Sequence, residues 1–304
     1  MRPANLKTTR PSFRSKIFLD GGDPQETGQI IDLLGFLDGQ TTNPTLISKN
    51  PKAAEKLARG EKFTQEEILN FYKNVVQEIS RLIPNGSVSV EVYADANTTA
   101  EEMLVQGKGM FSWIPNAHIK FPTNKEGLAA AKQTVKEGLR VNMTLVFSQE
   151  QAAAVYAATK SDHLKPSLPG YKNIFVSPFV GRLDDIGENG MDLIKNIIQM
   201  YRKSDHHVAI LTASVRSLNH FLYALALGSD IITAPFKILK VWAEGGFQVP
   251  CPDFIYDPGN LKSIPYQEFN LSKDWHEFNI AHDLTDAGIE KFSHDWNSLI
   301  NPLQ

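Results

Sequence analysis

Strand-like and helix-like segments alternate eight times along this chain, with short connections between them. The strand-like segments are the stretches 17–20, 39–44, 87–93, 117–122, 139–147, 173–179, 207–214 and 229–233. Alternating strands and helices imply parallel strands, and eight such strand–helix units close into a barrel. The sequence therefore predicts an α/β fold of the (β/α)8 TIM-barrel type. The alternative is an open doubly wound sheet, which normally has a GxGxxG turn after its first strand, and the GGDP turn at 21–24 does not match that motif.

The barrel accounts for most of the 304 residues and leaves a segment at each end. We expect an N-terminal tail at 1–16, the barrel at 17–245 and a C-terminal loop-plus-helix extension at 246–304. The helix of the extension carries an apolar face at helical spacing, formed by Ile289, Phe292, Trp296 and Leu299. This face could pack on the chain's own barrel or on a neighbouring subunit.

Composition excludes several classes of protein. A net charge of −3, from 31 basic and 34 acidic residues, provides no long-range field that would favour nucleic acid or an anionic membrane. A single cysteine, Cys251, excludes an intrachain disulfide framework and a multi-cysteine zinc site, which suits a cytoplasmic protein. No apolar run approaches the roughly 20 residues of a membrane span. The basic tail lacks the apolar centre of a secretory signal, although a short amphipathic targeting segment stays open.

Most predicted strands carry polar side chains on one face near their carboxyl ends. In 87–93 the valines share one face, so Ser89 and Glu91 lie on the other; Asp20 lies on the face of Phe18, and Thr212 and Ser214 on that of Ile210. Each polar residue alone could be a hydrogen-bonded core residue or a helix cap. Burying all of them in one cavity without a function would be costly. The set comprises Asp20, Asn43, Glu91, Lys120, Asn142, Thr144 and Ser177.

Lys120 is the candidate nucleophile of this set. It lies near the end of the strand AHIKFP, on the same face as His118, and Pro122 ends the strand. Burial disfavours an ammonium ion and favours the free amine that attacks a carbonyl group. A strand-end lysine on its own usually reaches water, so the interpretation depends on the other strands.

Two arginines follow the sixth and seventh predicted strands. Arg182 lies in SPFVGR and Arg216 in ASVR, each near a serine, Ser177 or Ser214. Barrels often bind phosphate at this position, and a guanidinium group with a serine hydroxyl suits a phosphate dianion, although either arginine could instead bind a surface carboxylate. A lysine, two carboxylates and a phosphate clamp indicate Schiff-base chemistry on a phosphorylated sugar.

Seven motifs follow one another along the predicted strand ends: FLD, TTNPTLI, VSVEV, IKFPTNKEGLAA, VNMTLVFS, FVSPFVGRLDDIG and ASVR. In their sequence and order they resemble the motifs of the transaldolase family, a class I aldolase group with a (β/α)8 barrel. The resemblance implies that Lys120 forms the Schiff base, that Asp20 assists proton transfer at the C4 hydroxyl, and that Glu91 and Thr144 hold the catalytic water. It further implies substrate contacts for Asn43, Asn142 and Ser177, and a phosphate site at Arg182, Ser214 and Arg216.

The same resemblance favours a transferase in the pentose phosphate pathway. The fructose-6-phosphate aldolase branch has glutamine at the position of Glu91 and tyrosine at that of Phe179, so this chain matches the transaldolase side. Two features depart from the family. Gly21 and Gly22 replace its usual Thr-Gly/Ala pair, and His118 replaces an aliphatic residue. We interpret His118 as a core histidine, with a second titrating group near the lysine as the alternative.

We expect sugar-phosphate substrates, a homo-oligomer, no nucleic-acid or membrane partner, and neither a metal nor another cofactor. A metal-dependent aldolase would need clustered ligands, whereas the eight histidines are scattered along the chain. A non-catalytic sugar-phosphate-binding barrel would need the arginines but not Lys120 with Asp20 and Glu91. Arginines also bind sulfonates, so a sulfosugar donor stays open.

Overall fold

The barrel is closed and entirely parallel, as the alternation of segments predicts. The computed structural model describes residues 13–161, 167–251 and 254–301. Its strands are β1 Lys16–Asp20, β2 Gly39–Thr41, β3 Ser87–Glu91, β4 Ala117–Pro122, β5 Val141–Val146, β6 Ile174–Pro178, β7 Val208–Thr212 and β8 Ile231–Ala234. Each strand pairs with the next in the sequence, and β8 pairs with β1. The chain is therefore a (β/α)8 TIM barrel, and the open sheet is excluded.

The helices surround this barrel, and most begin at a side-chain cap. They are α1 Pro24–Leu34, α2 Pro44–Ser48, α3 Pro51–Ala58, α4 Gln65–Leu82, α5 Ala100–Phe111, α6 Lys125–Lys136, α7 Gln149–Thr159, α8 Val180–Asp185, α9 Gly190–Tyr201, α10 Leu218–Leu227, α11 Phe236–Glu244 and α12 Asp283–Asn297, with a 3-10 turn at Trp275–Glu277. Thr64 and Glu67 form a capping box at the start of α4, as Thr99 and Glu102 do at α5. Asn43 caps α2, so the second strand ends at Thr41. The sequence predicted a longer strand-like segment, which reached Pro44.

Aromatic side chains fill the amino-terminal half of the barrel interior. The rings of Phe18 and Phe175 have centroids 6.2 Å apart, and His118 stacks on Phe175 at 3.9 Å. Gly39 leaves room for Phe18, because a Cβ at that position would lie 2.4 Å from the phenyl ring. These rings form an apolar floor, so the open, polar end of the barrel lies at the carboxyl ends of the strands.

His118 is a satisfied core histidine. Its Nδ1 lies 2.8 Å from the Ser87 hydroxyl and its Nε2 lies 3.0 Å from the carbonyl oxygen of Lys172. Burial lowers the pKa of His118 to about 3, so the ring is neutral at physiological pH. The alternative interpretation, a histidine that titrates beside the lysine, is wrong.

Two strand ends depart from regular alternation. Leu211 and Ala213 of the β7 region line the barrel cavity, while the Thr212 hydroxyl contacts Ser229 at 2.9 Å. The prediction that Thr212 faces inward with Ser214 is therefore wrong. Ser214 nevertheless reaches the cavity, because its φ of 57° turns the chain after β7 has ended. Leu145, with φ of 59°, similarly interrupts the register between β5 and β6.

The C-terminal helix α12 lies over the carboxyl end of its own barrel, against α2 and β5. Its predicted apolar face, Ile289, Phe292 and Trp296 with Leu299 just beyond, is buried. The Thr285 hydroxyl donates to the carbonyl oxygen of Leu145 at 2.9 Å, and backbone bonds join Phe63 to Leu299 and Asn301. In the described ranges, no helix combines the length and apolarity needed to cross a bilayer. Most of the predicted N-terminal tail, residues 1–12, lies outside the described residues.

Candidate active site

A cavity of about 540 Å³ opens at the carboxyl ends of the strands. Eight of the residues that we singled out in the sequence line it: Asp20, Asn43, Lys120, Ser177, Phe179, Arg182, Ser214 and Arg216. The other three do not line it: Glu91 and Asn142 are buried beside Lys120 and Ser177, and Thr144 is buried near the end of β5. The structure thus brings the polar residues of separate strands to one site.

Lys120 lies at the base of this cavity beside a buried carboxylate. The register of β3 and β4 places Glu91 opposite Lys120, and their Oε2 and Nζ atoms are 2.8 Å apart. Nζ also donates to the carbonyl oxygen of Thr42 at 3.0 Å. The side chains are each only 4% exposed, so they form an ion pair that is largely shielded from water.

Asp20 is the second carboxyl group at the base. The hydroxyl of Thr41 donates to Asp20 Oδ1 at 2.7 Å and lies 2.7 Å from the hydroxyl of Thr233. Burial raises the pKa of Asp20, and the Lys120 ammonium group and Thr41 oppose that rise. Burial also raises the pKa of Glu91, again opposed by Lys120. Since burial favours the protonated form of both acids, they are suited to exchange protons with an amine and with a bound substrate.

Small polar side chains connect the central strands behind the lysine. The Ser177 hydroxyl donates to Asn142 Oδ1 at 2.6 Å, and Asn142 Nδ2 donates to the Ser89 hydroxyl at 3.1 Å. Thr144 differs from these groups: its hydroxyl oxygen is buried and has no hydrogen-bond partner among the described residues. A buried hydroxyl without a partner is costly, which marks this point as one where a water or ligand would bind.

Asn43 has a structural role as well as a place in the cavity. Its side-chain oxygen accepts a hydrogen bond from the Leu46 backbone N–H at 2.9 Å, which caps α2. The amide group of Asn43 therefore retains donors for a ligand while its oxygen is held by the helix.

The two arginines lie at one side of the cavity and are held differently. Arg216 forms a two-bond ion pair with Asp185, in which Nη2 donates to Oδ2 at 2.7 Å, so it does bind a carboxylate. Arg182 lies over the rings of Phe179 and Phe292, with its Cζ 5.4 Å and 5.3 Å from their centroids. Burial lowers the pKa of Arg182, while Glu91 opposes this effect. Gly181 permits the close approach of Arg216, because a Cβ there would lie 2.6 Å from its Nε.

Several cavity residues were not predicted from the sequence to belong to the site. They are Thr41, Thr45, Leu46, Lys49, Asp185, Leu211, Ala213, Thr233, Leu284, Ala287, Lys291 and Phe292. Alternation along 39–44 could have indicated Thr41, because it shares a face with Gly39. The α12 residues gave no such signal, since only the tertiary fold brings that helix to the strand ends. Over residues 13–161, 167–251 and 254–301, no three His, Cys, Asp or Glu side chains group as metal ligands.

Comparison with known proteins identifies the family of this chain. The family model described as Transaldolase/Fructose-6-phosphate aldolase matches residues 17–303. A Dehalococcoides mccartyi protein named "Probable transaldolase" is 34% identical over 284 residues, which cover 93% of this chain and 99% of that protein. A protein of the same name from Herpetosiphon aurantiacus is 34% identical over 286 residues, covering 93% and 96%. One from Thermoplasma volcanium is 37% identical over 228 residues, covering 74% and 86%. The chain belongs to the transaldolase/fructose-6-phosphate aldolase family of enzymes.

Proposed function

We propose that this enzyme is a transaldolase that transfers a dihydroxyacetone unit from a ketose phosphate to an aldose phosphate through a Schiff base on Lys120. The observation that carries the proposal is the buried Lys120–Glu91 pair at the base of a cavity that Asp20 also lines. The donor would be fructose 6-phosphate or sedoheptulose 7-phosphate, which assigns the reaction to the pentose phosphate pathway in the cytoplasm. We also propose that the enzyme assembles as a homo-oligomer.

In the first half-reaction, the Lys120 amine attacks C2 of the ketose, and loss of the C2 oxygen as water gives an iminium ion. Glu91 and Thr144 hold that water, a role supported by the unpartnered Thr144 hydroxyl. Asp20 accepts the C4 hydroxyl proton, the C3–C4 bond breaks, and its electrons neutralise the iminium to give a three-carbon enamine. The shortened aldose phosphate leaves. An acceptor aldehyde then reacts with the enamine, and the steps run in reverse to release a new ketose phosphate.

The remaining cavity residues would bind and orient the substrate. Asn43, Asn142 and Ser177 would contact donor hydroxyl groups, and Arg182, Ser214 and Arg216 would hold the phosphate group. A guanidinium fork suits a phosphate dianion geometrically, and a partly buried site strengthens the attraction. Since a sulfonate is also an anion with several oxygen acceptors, sulfosugar donors belong in the same substrate screen.

Phe179 favours a transferase over an aldolase. An aldolase must protonate the enamine, whereas a transferase must preserve it until the acceptor arrives. Phe179 lines the cavity next to Ser177 and has no hydroxyl group that could position a water for protonation. The alternative, a fructose-6-phosphate aldolase activity, would give free dihydroxyacetone.

Borohydride trapping tests the covalent step. Enzyme incubated with fructose 6-phosphate and sodium borohydride should gain the mass of a reduced dihydroxyacetone or hexose phosphate adduct on the peptide that contains Lys120. The Lys120→Met variant should gain none, while Lys125→Met, a change at an exposed lysine on α6, should be labelled like the wild type. If the wild-type enzyme stays unlabelled at Lys120, the non-catalytic sugar-phosphate-binding barrel is the better description.

A second experiment separates transferase from aldolase. Turnover of fructose 6-phosphate should depend on erythrose 4-phosphate, because the enamine waits for an acceptor. Rapid release of dihydroxyacetone in the absence of an acceptor would instead identify an aldolase.

A further inference from the structure

The C-terminal helix forms one wall of the active-site cavity. Leu284, Ala287, Lys291 and Phe292 of α12 all line it. Several hydrogen bonds attach the helix to the barrel: among them, the Thr285 hydroxyl donates to the Leu145 carbonyl oxygen, and the Thr45 hydroxyl at the start of α2 donates to the Asp295 carboxylate. The side chains that α12 presents to the cavity therefore have fixed positions relative to the strand ends.

One of these side chains, Phe292, contacts Arg182. The guanidinium Cζ is 5.3 Å from the Phe292 ring centroid and 5.4 Å from that of Phe179, both within the range of cation–π attraction. Among the described residues, none accepts a hydrogen bond from the Arg182 guanidinium group or lies within ion-pair distance of it. Aromatic faces hold a cation without occupying its in-plane N–H donors. Arg182 therefore keeps its hydrogen-bonding capacity and its charge, whereas the carboxylate of Asp185 already engages Arg216.

The backbone of α12 also makes room for Arg182. A Cβ at Gly288 would lie 2.8 Å from Arg182 Nη1 and 2.6 Å from Leu145 Cδ2, and both distances are shorter than a Cβ atom tolerates to a non-bonded heavy atom. Gly288 is inside the helix, where glycine is less favourable than alanine. The absence of a side chain at this position thus permits the guanidinium group to lie against the helix.

We propose that α12 is a positioning element for substrate recognition, in which Phe292 and Gly288 hold Arg182 unpaired and directed at the anionic end of the substrate. The identity of that anion as a sugar phosphate rests on the proposed function. Phe292 is a positioning residue, since it acts through Arg182. The C-terminal helix is then a specificity-determining part of the anion site.

Binding of inorganic phosphate to the free enzyme tests this proposal without any catalytic step. Phe292→Leu keeps an apolar side chain but removes the aromatic face, so titration calorimetry should show the Kd for phosphate rising about fivefold. Arg182→Met should raise it at least about tenfold, because a charge-assisted bond is lost. In the Arg182→Met background, Phe292→Leu should have no further effect.

The same variants give a second readout in steady-state kinetics. Phe292→Leu should raise the KM for fructose 6-phosphate and leave the KM for unphosphorylated fructose unchanged. If Phe292 had a merely structural role, Phe292→Leu would raise the KM for both donors. The effect of Phe292→Leu would also persist in the Arg182→Met background. An unchanged phosphate Kd in Phe292→Leu, or an equal rise in the Arg182→Met background, would overturn the proposal.

Gly288→Ala provides an independent test with a matched control. The added methyl group should displace Arg182 and raise the phosphate Kd, although alanine favours the helix. Gly109→Ala on α5, where a Cβ meets no atom within 4 Å, should leave the phosphate Kd at its wild-type value. If Gly288→Ala binds phosphate as the wild type does, the positioning role of the helix is wrong. Failure of borohydride labelling at Lys120 would instead refute the catalytic proposal, because phosphate binding does not require the Schiff base.

Discussion

Replacing His118 by glutamine should make the stability of the barrel less sensitive to acid. The His118 side chain is completely buried, stacks on Phe175, and has both ring nitrogens within hydrogen-bond distance of protein groups. Glutamine can still donate to the Lys172 carbonyl oxygen but cannot titrate. Loss of the stacked ring should lower the free energy of unfolding, and this contribution of the substitution does not depend on pH.

The pH-dependent part follows from linkage. Burial lowers the pKa of His118 from 6.5 to about 3 in the folded state. Between these two values the unfolded chain binds the proton and the folded chain does not, so stability falls as the pH falls through 6.5 towards 3. At about 1.4 kcal/mol per pH unit, the loss between pH 7 and pH 5 is about 2 kcal/mol for this one residue.

Urea unfolding of the wild type and of His118→Gln at pH 7 and pH 5 measures this difference. The wild type should lose about 2 kcal/mol more than the variant on acidification, because carboxyl groups contribute equally to both proteins. His294→Gln, a change at an exposed histidine on α12, serves as the matched control and should follow the wild type. Equal losses in the wild type and His118→Gln would refute the assignment of a neutral, buried histidine.

Two further changes probe the base and the anion end of the cavity. Thr41→Val removes the hydrogen bond that lowers the Asp20 pKa, so that pKa should rise. The acid limb of the kcat/KM profile for fructose 6-phosphate should then move to higher pH; a limb that stays in place would contradict the role of Thr41. Gly181→Ala would place a Cβ 2.5 Å from the Ser214 carbonyl oxygen, which should displace the Arg216 loop and raise the KM for fructose 6-phosphate about tenfold. Gly28→Ala, with open space around its Cβ, is the control, and equal KM values in the two variants would show that the close approach at Gly181 is unimportant.

The barrel could be predicted from the sequence because its determinants are local. Each strand is bounded by turn residues or helix caps, and the alternation of eight units constrains the topology without knowledge of any long-range contact. Side-chain alternation also predicted the inward faces of the strands that contribute Asp20, Glu91, Lys120 and Ser177. The inward face was assigned wrongly for Thr212, because Leu211 and Ala213 alternate into the cavity and the left-handed backbone at Ser214 breaks the alternation that appeared to link Thr212 with Ser214.

The active site was less predictable where it depends on distant parts of the chain. Lys120, Glu91 and Asp20 are on strands whose register follows from the barrel, so their meeting could be expected. Phe292 and Gly288 come from a helix whose apolar periodicity indicates that it packs somewhere, but not on which surface. The different partners of Arg182 and Arg216 were equally hidden, because both arginines follow strands in similar local contexts. Pairing with Asp185 and contact with Phe292 are consequences of tertiary packing.

The place of α12 in the chain has a consequence for the order in which the molecule is made. All eight strands precede this helix, and the segment between β8 and α12 must also be synthesised before α12 can dock. A nascent chain folds from its amino-terminal side, so the barrel can assemble while Arg182 still lacks its partners from α12. The anion site would then be completed later than the barrel itself, once α12 has been translated and has docked.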